Sequence, residues 1–407
     1  MMHHSGTALP RLARALALLS VSACVLAGCG PEARSGDNRP DEPPASDRAA
    51  AKPRIALHAS DGQKNVSVRS GGRVVVEHGT ITEASLVTVE GRPVPGTLAR
   101  GERAWSPDAA LEHGTTYRLT AVATDGRGAT ATRRITFTTL AEADRFTGTY
   151  TPEHKSTVGV GMPVSFTFDR AITDRKAVES GIEVSSSSGQ EVVGHWFGAR
   201  RLDFRPQHYW KAGSEVTVRI RLDGVRGGEG VYGEQDRTVR FTVGRSQVST
   251  VDAATHRMTV VRDGRTERTI PITAGAPASP TWNGRMVISE KLSTTRMNGA
   301  TVGFAGEYDI PDVPHAMRLS TSGTFIHGNY WGDDSVFGRS NISHGCVGLN
   351  DVQGGGDPSQ DAAWFFDNSL LGDVVVVRNS QDGTITPDNG LNGWNMPWHD
   401  WKAGSAR

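Results

Sequence analysis

One cysteine and one histidine in this 407-residue chain have the surroundings expected of a nucleophile and its base. Cys346 ends the segment 343–346 (sequence SHGC), whose polar and glycine residues are typical of a turn. His327 follows the alternating segment 324–326, which predicts a half-buried strand. A thiolate attacks a carbonyl carbon once a neighbouring imidazole has taken the thiol proton. We therefore predict a catalytic thiol at Cys346 rather than a buried structural cysteine.

The first residues of the chain have the pattern of an export signal. Arg11 and Arg14 precede the apolar run 15–27, which is too short to span a bilayer and is typical of a signal peptide. The run leads into the sequence LAGC, which resembles a bacterial lipoprotein signal and implies cleavage before Cys29 and a lipid on it. We predict a signal peptide over 1–28, with an ordinary secretory signal or an uncleaved anchor as the alternatives.

Processing at this signal would leave Cys346 as the one unmodified thiol. Cys24 is removed with the signal, and lipidated Cys29 begins a proline-rich segment, 29–53, that predicts a disordered tether. Cys346 then has no partner for an intramolecular disulfide. We expect an exported protein, lipid-anchored to the outer face of the cytoplasmic membrane, in the cell wall space.

The composition limits both the fold class and the partners. Lys and Arg total 44, as do Asp and Glu. The chain therefore lacks the excess of basic residues that would predict binding to nucleic acid. The length predicts two to four domains. The 48 glycines and the short alternating runs, with little helical periodicity, predict a mainly β protein.

Two similar stretches follow the tether. Short alternating runs separated by turns cover 54–140, and a second copy covers 141–245. The sequence WSP at 105–107 is echoed by FRP at 204–206, at an offset close to the size of one immunoglobulin-like domain. We predict two immunoglobulin-like β-sandwich domains that act as a stalk, with their histidines, His195 among them, on surfaces or loops.

Residues 246–380 have a different pattern, with further strands and one or two short helices. Asp357 is predicted to cap a helix, Gln360 to complete its capping box and Gly372 to end it. Four valines at 374–377 predict a buried strand. These signals predict a compact, β-rich domain around the cysteine and the histidine.

The tail, 381–407, is rich in tryptophan. Trp394, Trp398 and Trp401 are spaced for one face of a helix, although Pro397 lies between the first two. We predict a stripe that packs the tail on the preceding domain, with a sugar-binding platform as the alternative.

Residues 246–406 resemble the catalytic domain of the L,D-transpeptidases (YkuD type). That family has a histidine, a gap of about fifteen residues and then [Ser/Thr]-His-Gly-Cys; here the fifteen residues 328–342 separate His327 from SHGC. Trp331, the tail tryptophans, the tandem sandwiches and the lipoprotein-type signal are similar to the two-immunoglobulin-domain lipoproteins of mycobacteria and related actinobacteria. The resemblance therefore covers nearly the whole chain.

The resemblance implies a peptidoglycan L,D-transpeptidase that needs no cofactor and no metal. Cys346, deprotonated with help from His327, would attack the carbonyl that joins the third stem residue to a terminal D-alanine and form a thioester. An amine of a second stem would resolve the thioester into a 3→3 cross-link. Tetrapeptide stems are thus the expected donor and acceptor, and carbapenem β-lactams the expected covalent inhibitors.

The backbone around the pair is predicted to assist the reaction. The N–H groups of Gly345 and Cys346 are expected to stabilise the oxyanion, a role that favours glycine because the backbone must approach closely. A carbonyl near Gly328 is expected to orient the His327 imidazole, since no Asp is obviously placed to do so.

Other residues near Cys346 and His327 are predicted to support the turn or to line a pocket. Ser343 and His344 are expected to shape the turn, with a direct catalytic role as the alternative. By the resemblance, Tyr308, Met297 and Trp331 occupy substrate-pocket positions, with plain core packing as the alternative. The sequence therefore predicts a pocket beside the thiol.

One position departs from the family pattern. An apolar residue and then Asn usually follow the cysteine, whereas this chain has VGLN at 347–350, so Gly348 takes the place of the Asn. Asn350 is the predicted substitute, and Gly328 is a further candidate for contact with substrate; Asn329 is a weaker one.

Three other functions are weighed against this one. A zinc site of His315, His327, His344 and Cys346 is disfavoured because the spacing matches no structural zinc pattern. An L,D-carboxypeptidase or a protein-to-peptidoglycan ligase would keep the fold and change only the acceptor. A non-enzymatic wall-binding lipoprotein is disfavoured by the intact His327 and Cys346.

Overall fold

The structure is a computed structural model that describes residues 51–301, 303 and 306–407. The predicted signal peptide (1–28), Cys29 and the tether before residue 51 lie outside the described residues. Residues 51–407 form one compact unit. In this part of the chain, no helix has the length and apolar content needed to cross a membrane.

The first sandwich is built of two four-stranded sheets that share one core. Its strands are β1 (Arg54–Leu57), β2 (Val74–Glu77), β3 (Thr80–Thr88), β4 (Pro93–Val94), β5 (Gly96–Leu98), β6 (Ala104–Pro107), β7 (Thr116–Thr124) and β8 (Thr130–Thr138). The sheet orders are β1-β2-β6-β5 and β4-β3-β7-β8. In β7 the side chains at 117, 119, 121 and 123 are buried and their neighbours are not, as the period of two requires.

The second sandwich also has two four-stranded main sheets, and its core is separate from that of the first sandwich but extends to Val287, Val374 and Trp394. Its elements are β9 (Arg145–Phe146), β10 (Gly148–Thr151), β11 (Thr157–Val158), β12 (Val164–Phe168), α1 (Arg175–Ser180), β13 (Ile182–Ser186), β14 (Val192–Phe197), β15 (Arg201–Pro206), β16 (Glu215–Arg221), β17 (Arg226–Gly228), β18 (Val231–Gly233) and β19 (Asp236–Val243). The two main sheets have the orders β10-β12-β15-β14 and β11-β19-β16-β13, and a small sheet has β17-β18-β9. Phenylalanines from both main sheets meet in the core.

The last domain is organised around a nine-stranded sheet. Its elements are β20 (Gln247–Asp252), β21 (Arg257–Arg262), β22 (Arg265–Thr273), β23 (Gly284–Val287), β24 (Glu290–Asn298), β25 (Asp309–Arg318), β26 (Phe325–Asn329), β27 (Val347–Asn350), α2 (Asp361–Asp367) and β28 (Val374–Arg378). The strand order is β23-β28-β20-β21-β22-β27-β26-β25-β24. Short 3-10 helices occur at Glu142–Asp144, Gly299–Thr301, Asp334–Val336, Gln353–Gly355 and Gly393–Asn395. The predicted mainly β fold is therefore confirmed.

The predicted bounds of the helix in this domain are wrong at both ends. Helix α2 begins at Asp361, because the Asp357 carboxylate closes a turn of its own by accepting the Ser359 N–H at 2.9 Å. It ends at Asp367, and the next residue, Asn368, donates its side-chain amide to the Trp364 carbonyl. Gly372 therefore lies in the following turn, outside the helix.

The three tail tryptophans do not share one helix. Trp394 lies in a 3-10 turn and α3 (Trp398–Ala403) begins after Pro397, whose extended backbone separates the two. The Trp401 indole donates to the Val193 carbonyl at 2.9 Å, so it packs on the second sandwich. The prediction that the tail packs on the catalytic domain is thus wrong for Trp401.

Other tail residues do contact the domain of the nine-stranded sheet. The Asn392 side-chain oxygen accepts the Val287 N–H at 3.0 Å, and the Asn395 amide donates to the Arg285 carbonyl at 2.7 Å. The tail therefore links the second sandwich to the nine-stranded sheet.

The surface position predicted for His195 is also wrong. His195 is buried, its Nδ1 lies 2.9 Å from the Trp401 carbonyl oxygen, and its ring stacks on the Trp401 indole with centroids 4.8 Å apart. The histidine is a docking residue for the tail, more than two hundred residues away in the chain.

We expect Trp401→Ala to lower the free energy of unfolding by about 3–5 kcal/mol, because it empties a fully buried indole site. His399→Ala, on the same helix with an exposed side chain, is the control and should cost less than about 0.5 kcal/mol. Urea denaturation followed by far-UV circular dichroism measures both. Equal losses for the two variants would contradict the docking role of Trp401.

Candidate active site

Parallel pairing of two strands brings the predicted base next to the predicted nucleophile. His327 lies in β26 and pairs with Gly348 of β27, so Cys346 stands immediately before the strand that adjoins the histidine. All five residues of β26 are buried. The Cys346 and His327 side chains line one cavity of about 260 Å³. The two groups that the sequence singles out are therefore brought together.

The orientation of His327 is fixed by its neighbour's carbonyl. Its Nδ1 lies 2.9 Å from the Gly328 carbonyl oxygen, which is the contact predicted from the sequence. Because a carbonyl oxygen only accepts, Nδ1 carries the hydrogen and Nε2 is left as the proton acceptor. Burial lowers the pKa of His327, and the Gly328 carbonyl and the Asp351 charge oppose this effect. The imidazole is therefore neutral near pH 7.

The resting thiol is neutral as well. Burial raises the pKa of the Cys346 thiol to about 11, against a backbone hydrogen bond at Phe325 that lowers it. The thiol donates to the Gly323 carbonyl oxygen at 3.6 Å. A neutral thiol beside a neutral imidazole requires proton transfer to accompany the attack on a substrate carbonyl.

Ser343 and Gly345 set the shape of the turn. The Ser343 hydroxyl donates to the Cys346 carbonyl oxygen at 2.6 Å and accepts the Gly345 N–H at 3.2 Å. Gly345 has a φ of 107°, a conformation that favours glycine. The Gly345 N–H must leave Ser343 before it can reach an oxyanion, so the Cys346 N–H is the simpler of the two predicted donors.

His344 points to the neighbouring segment. Its Nε2 lies 3.0 Å from the Glu307 carboxylate, and its exposed ring contacts the Tyr308 ring with centroids 5.0 Å apart. His344 therefore connects the turn at 343–346 to the segment around residue 308, which agrees with the expectation that it shapes the turn.

The predicted pocket residues divide into two groups. Met297, Tyr308 and Trp331 line the cavity that contains Cys346 and His327. The Trp331 indole, 42% exposed, stacks on the His327 ring with centroids 5.6 Å apart. Gly328 and Asn350 do not line this cavity. The structure therefore does not support the predicted contact of these two residues with substrate in it.

Asn329, the weaker candidate, stands beside the position that lacks the family's Asn. A Cβ atom added at Gly348 would lie 2.8 Å from the Thr273 methyl group and 3.4 Å from the Asn329 side-chain nitrogen. Asn329 is buried, lines the cavity and accepts the Gly332 N–H at 2.9 Å. The Asn329 amide therefore lies beside Gly348, the position at which the family has its Asn.

Asp351 is a neighbour of the base that sequence reasoning missed. Its carboxylate is fully buried, lies 2.8 Å from His315 Nδ1 and accepts the Val352 N–H. It packs on the backbone of Gly328 so closely that a Cβ there would overlap it. The buried charge stands behind the peptide that orients His327, and only the fold reveals it.

No metal site is formed in the described ranges: no three His, Cys, Asp or Glu side chains come together there. Two histidines of the rejected zinc hypothesis are engaged elsewhere, His315 with Asp351 and His344 with Glu307.

Comparisons with known proteins identify the family. The L,D-transpeptidase catalytic domain family matches residues 246–377, and the bacterial Ig domain family matches 63–226. L,D-transpeptidase 2 of Mycobacterium tuberculosis (strain CDC 1551 / Oshkosh) is 33% identical over 87% of this chain and 85% of that protein. The chain belongs to the L,D-transpeptidase family.

Two further similarities accompany this match. L,D-transpeptidase 5 of Mycobacterium tuberculosis (strain H37Rv) is 29% identical over 94% of this chain and 82% of that protein. The solved structure of LD transpeptidase LdtMt1 in complex with imipenem is 29% identical over 56% of this chain and 97% of that chain, with a TM-score of 0.48.

We expect Asp351→Asn to move the acid limb of the profile of kcat/KM against pH to lower pH. The Asp351 charge raises the pKa of His327, so its removal lowers that pKa and keeps the base neutral in more acidic solution. Initial rates measured across pH test this, with Asp357→Asn, in a turn away from the cavity, as the control. An unmoved limb, or one moved to higher pH, would contradict the role given to Asp351.

Proposed function

We propose that the protein is a peptidoglycan L,D-transpeptidase that forms 3→3 cross-links through a thioester on Cys346. The observation that carries this proposal is the pairing of β26 with β27, which sets His327 and Cys346 on one cavity. The family match supports the reaction class, and the shared cavity supports the assignment of Cys346 as nucleophile and His327 as base.

Acylation begins with the neutral pair. The Cys346 sulfur attacks the carbonyl carbon between the third stem residue and the terminal D-alanine, while His327 Nε2 takes the thiol proton. Backbone N–H groups of the turn stabilise the tetrahedral oxyanion. The carbon–nitrogen bond then breaks, the imidazolium returns its proton to the leaving amine, and D-alanine departs from the thioester.

Deacylation reverses the roles of the same groups. The side-chain amine of the third residue on another stem attacks the thioester carbon and gives a proton to His327. The carbon–sulfur bond breaks, and the sulfur recovers the proton from the imidazolium. Trp331, stacked on the imidazole, keeps water from the face of the base on which it lies.

A carbapenem would acylate Cys346 by the first half of this sequence. Its strained lactam carbonyl takes the place of the stem carbonyl, and the nitrogen released by ring opening stays attached to the acyl group. No separate leaving group departs, so the whole opened ring system stays attached to Cys346 through its acyl carbon.

We propose further that the protein is exported and carries a lipid on Cys29. The support is the signal-like sequence at 1–28, with its two arginines, its short apolar run and its LAGC ending. A lipid at the start of the tether would hold the two sandwiches and the catalytic domain on the outer side of the cytoplasmic membrane.

Incubation of the full chain with tetrapeptide stems as donor and acceptor tests the function. We expect a 3→3 linked dimer and one equivalent of D-alanine per bond formed, detected by mass spectrometry, and neither from Cys346→Ala. Cleavage to tripeptide without any dimer would replace the proposal by an L,D-carboxypeptidase. Product formation that survives Cys346→Ala would contradict the thioester route.

A further inference from the structure

A buried ion pair lies behind the peptide that orients His327. His315, in β25, places its Nδ1 2.8 Å from Oδ2 of Asp351, which directly follows β27. The same carboxylate oxygen packs against Gly328, where an added Cβ atom would lie only 2.1 Å from it. The Gly328 carbonyl oxygen in turn lies 2.9 Å from His327 Nδ1. Three successive contacts therefore lead from His315 to the imidazole of His327.

The backbone of His315 has an unfavourable conformation. Its φ of 50° lies in the left-handed region, which residues other than glycine rarely adopt. The residue stands inside β25, between Pro314 and Ala316, which both pair with β24. Its ring packs on the Phe366 ring with centroids 5.1 Å apart. Such a conformation persists only where the surroundings enforce it, and it is frequent at functional sites.

Asp351 needs an opposite charge. Its side chain is fully buried, and within the described ranges its ion pair is the one with His315. Its other hydrogen bond comes from the neutral N–H of Val352, at 2.8 Å. Burial of a carboxylate is costly unless the charge is paired. The imidazolium form of His315 supplies the opposite charge.

The other charged groups of the neighbouring elements have partners outside this ion pair. Asp312, also in β25, accepts a hydrogen bond from the Tyr330 hydroxyl. Lys291 of β24 lies 4.3 Å from the centroid of the Phe366 ring and donates to the Phe366 carbonyl oxygen at 2.6 Å. Helix α2 itself presents the uncharged Phe366 ring to the pair.

The ion pair bears on the reaction because the base must be neutral before it accepts a proton. Burial lowers the pKa of His327, and the Gly328 carbonyl and the Asp351 charge oppose this effect. A carboxylate without a counter-ion would raise that pKa further and keep a proton on the ring. A cation at His315 offsets this attraction.

We propose that His315 is a positioning residue for His327 and acts through Asp351. In its charged form it balances the buried carboxylate, and its hydrogen bond holds that carboxylate against the Gly328 peptide. The inference rests on the proposed function only in taking His327 as the base for Cys346.

Alkylation of Cys346 by iodoacetamide tests this role without a peptidoglycan substrate. The full chain is treated across pH, and mass spectrometry of the peptide that contains Cys346 gives its rate separately from those of Cys24 and Cys29. Because neutral His327 takes the thiol proton, the acid limb of this rate profile reports the protonation of His327.

We expect His315→Gln to move the acid limb to higher pH by about half a unit or more, because the amide keeps the hydrogen bond but leaves the Asp351 charge unbalanced. Asp351→Asn should move the limb in the opposite direction. The matched control is His399→Gln, in an exposed pair with Asp400 on α3, and it should leave the limb in place. An unmoved limb in His315→Gln, or one moved to lower pH, would overturn the proposal.

The rate above the acid limb tests the hydrogen bond. His315→Ala removes the donor, so we expect alkylation about tenfold slower or more, whereas His315→Gln should stay within about threefold of the unsubstituted protein. An undiminished rate in His315→Ala, or equal losses in the two variants, would contradict the positioning role. Urea denaturation shows whether each variant is folded, and the limb of His315→Gln still decides if His315→Ala is not.

The outcome is separable from that of the proposed function. A protein that makes the 3→3 dimer but whose acid limb does not respond to His315→Gln contradicts this inference alone. A protein whose limb moves as expected but which makes no dimer contradicts the proposed function and leaves His315 as a residue that tunes the reactivity of Cys346.

Discussion

The site depends on the parallel hydrogen bonding of β26 with β27. This pairing sets His327 opposite Gly348, so the thiol one residue before β27 and the imidazole line the same cavity. Parallel neighbours require a crossover of about a dozen residues or more. The crossover is residues 330–346, which include most of the spacer between His327 and the SHGC turn, the turn itself and Trp331.

Burial gives the pair its chemical character. The buried position of His327 lowers its pKa, and that of Cys346 raises the pKa of the thiol to about 11, so both groups are neutral at rest. The Gly328 carbonyl leaves one ring nitrogen as the acceptor, and the Asp351 carboxylate behind that peptide favours the protonated form of the imidazole. The proposed attack by Cys346 therefore requires transfer of the thiol proton to His327.

Features of the site that involve only a few neighbouring residues could be predicted from local sequence patterns. Each of these features involves residues that are close together in the sequence: the turn at 343–346, the strand before His327 and the contact with Gly328. Asp351 could not be predicted in the same way, because its position behind the Gly328 peptide depends on the pairing of β26 with β27. His195 and Trp401 meet across more than two hundred residues, and no local pattern indicates such a contact.

The central claim is that Cys346 becomes acylated by a stem peptide with His327 as the base. Intact mass of the full chain, measured shortly after mixing with a tetrapeptide donor and no acceptor, tests it most directly. The account predicts one adduct of the donor minus D-alanine on the unsubstituted protein, a much slower adduct on His327→Ala and none on Cys346→Ala. An adduct that forms at the same rate on all three proteins, or on none of them, would contradict it.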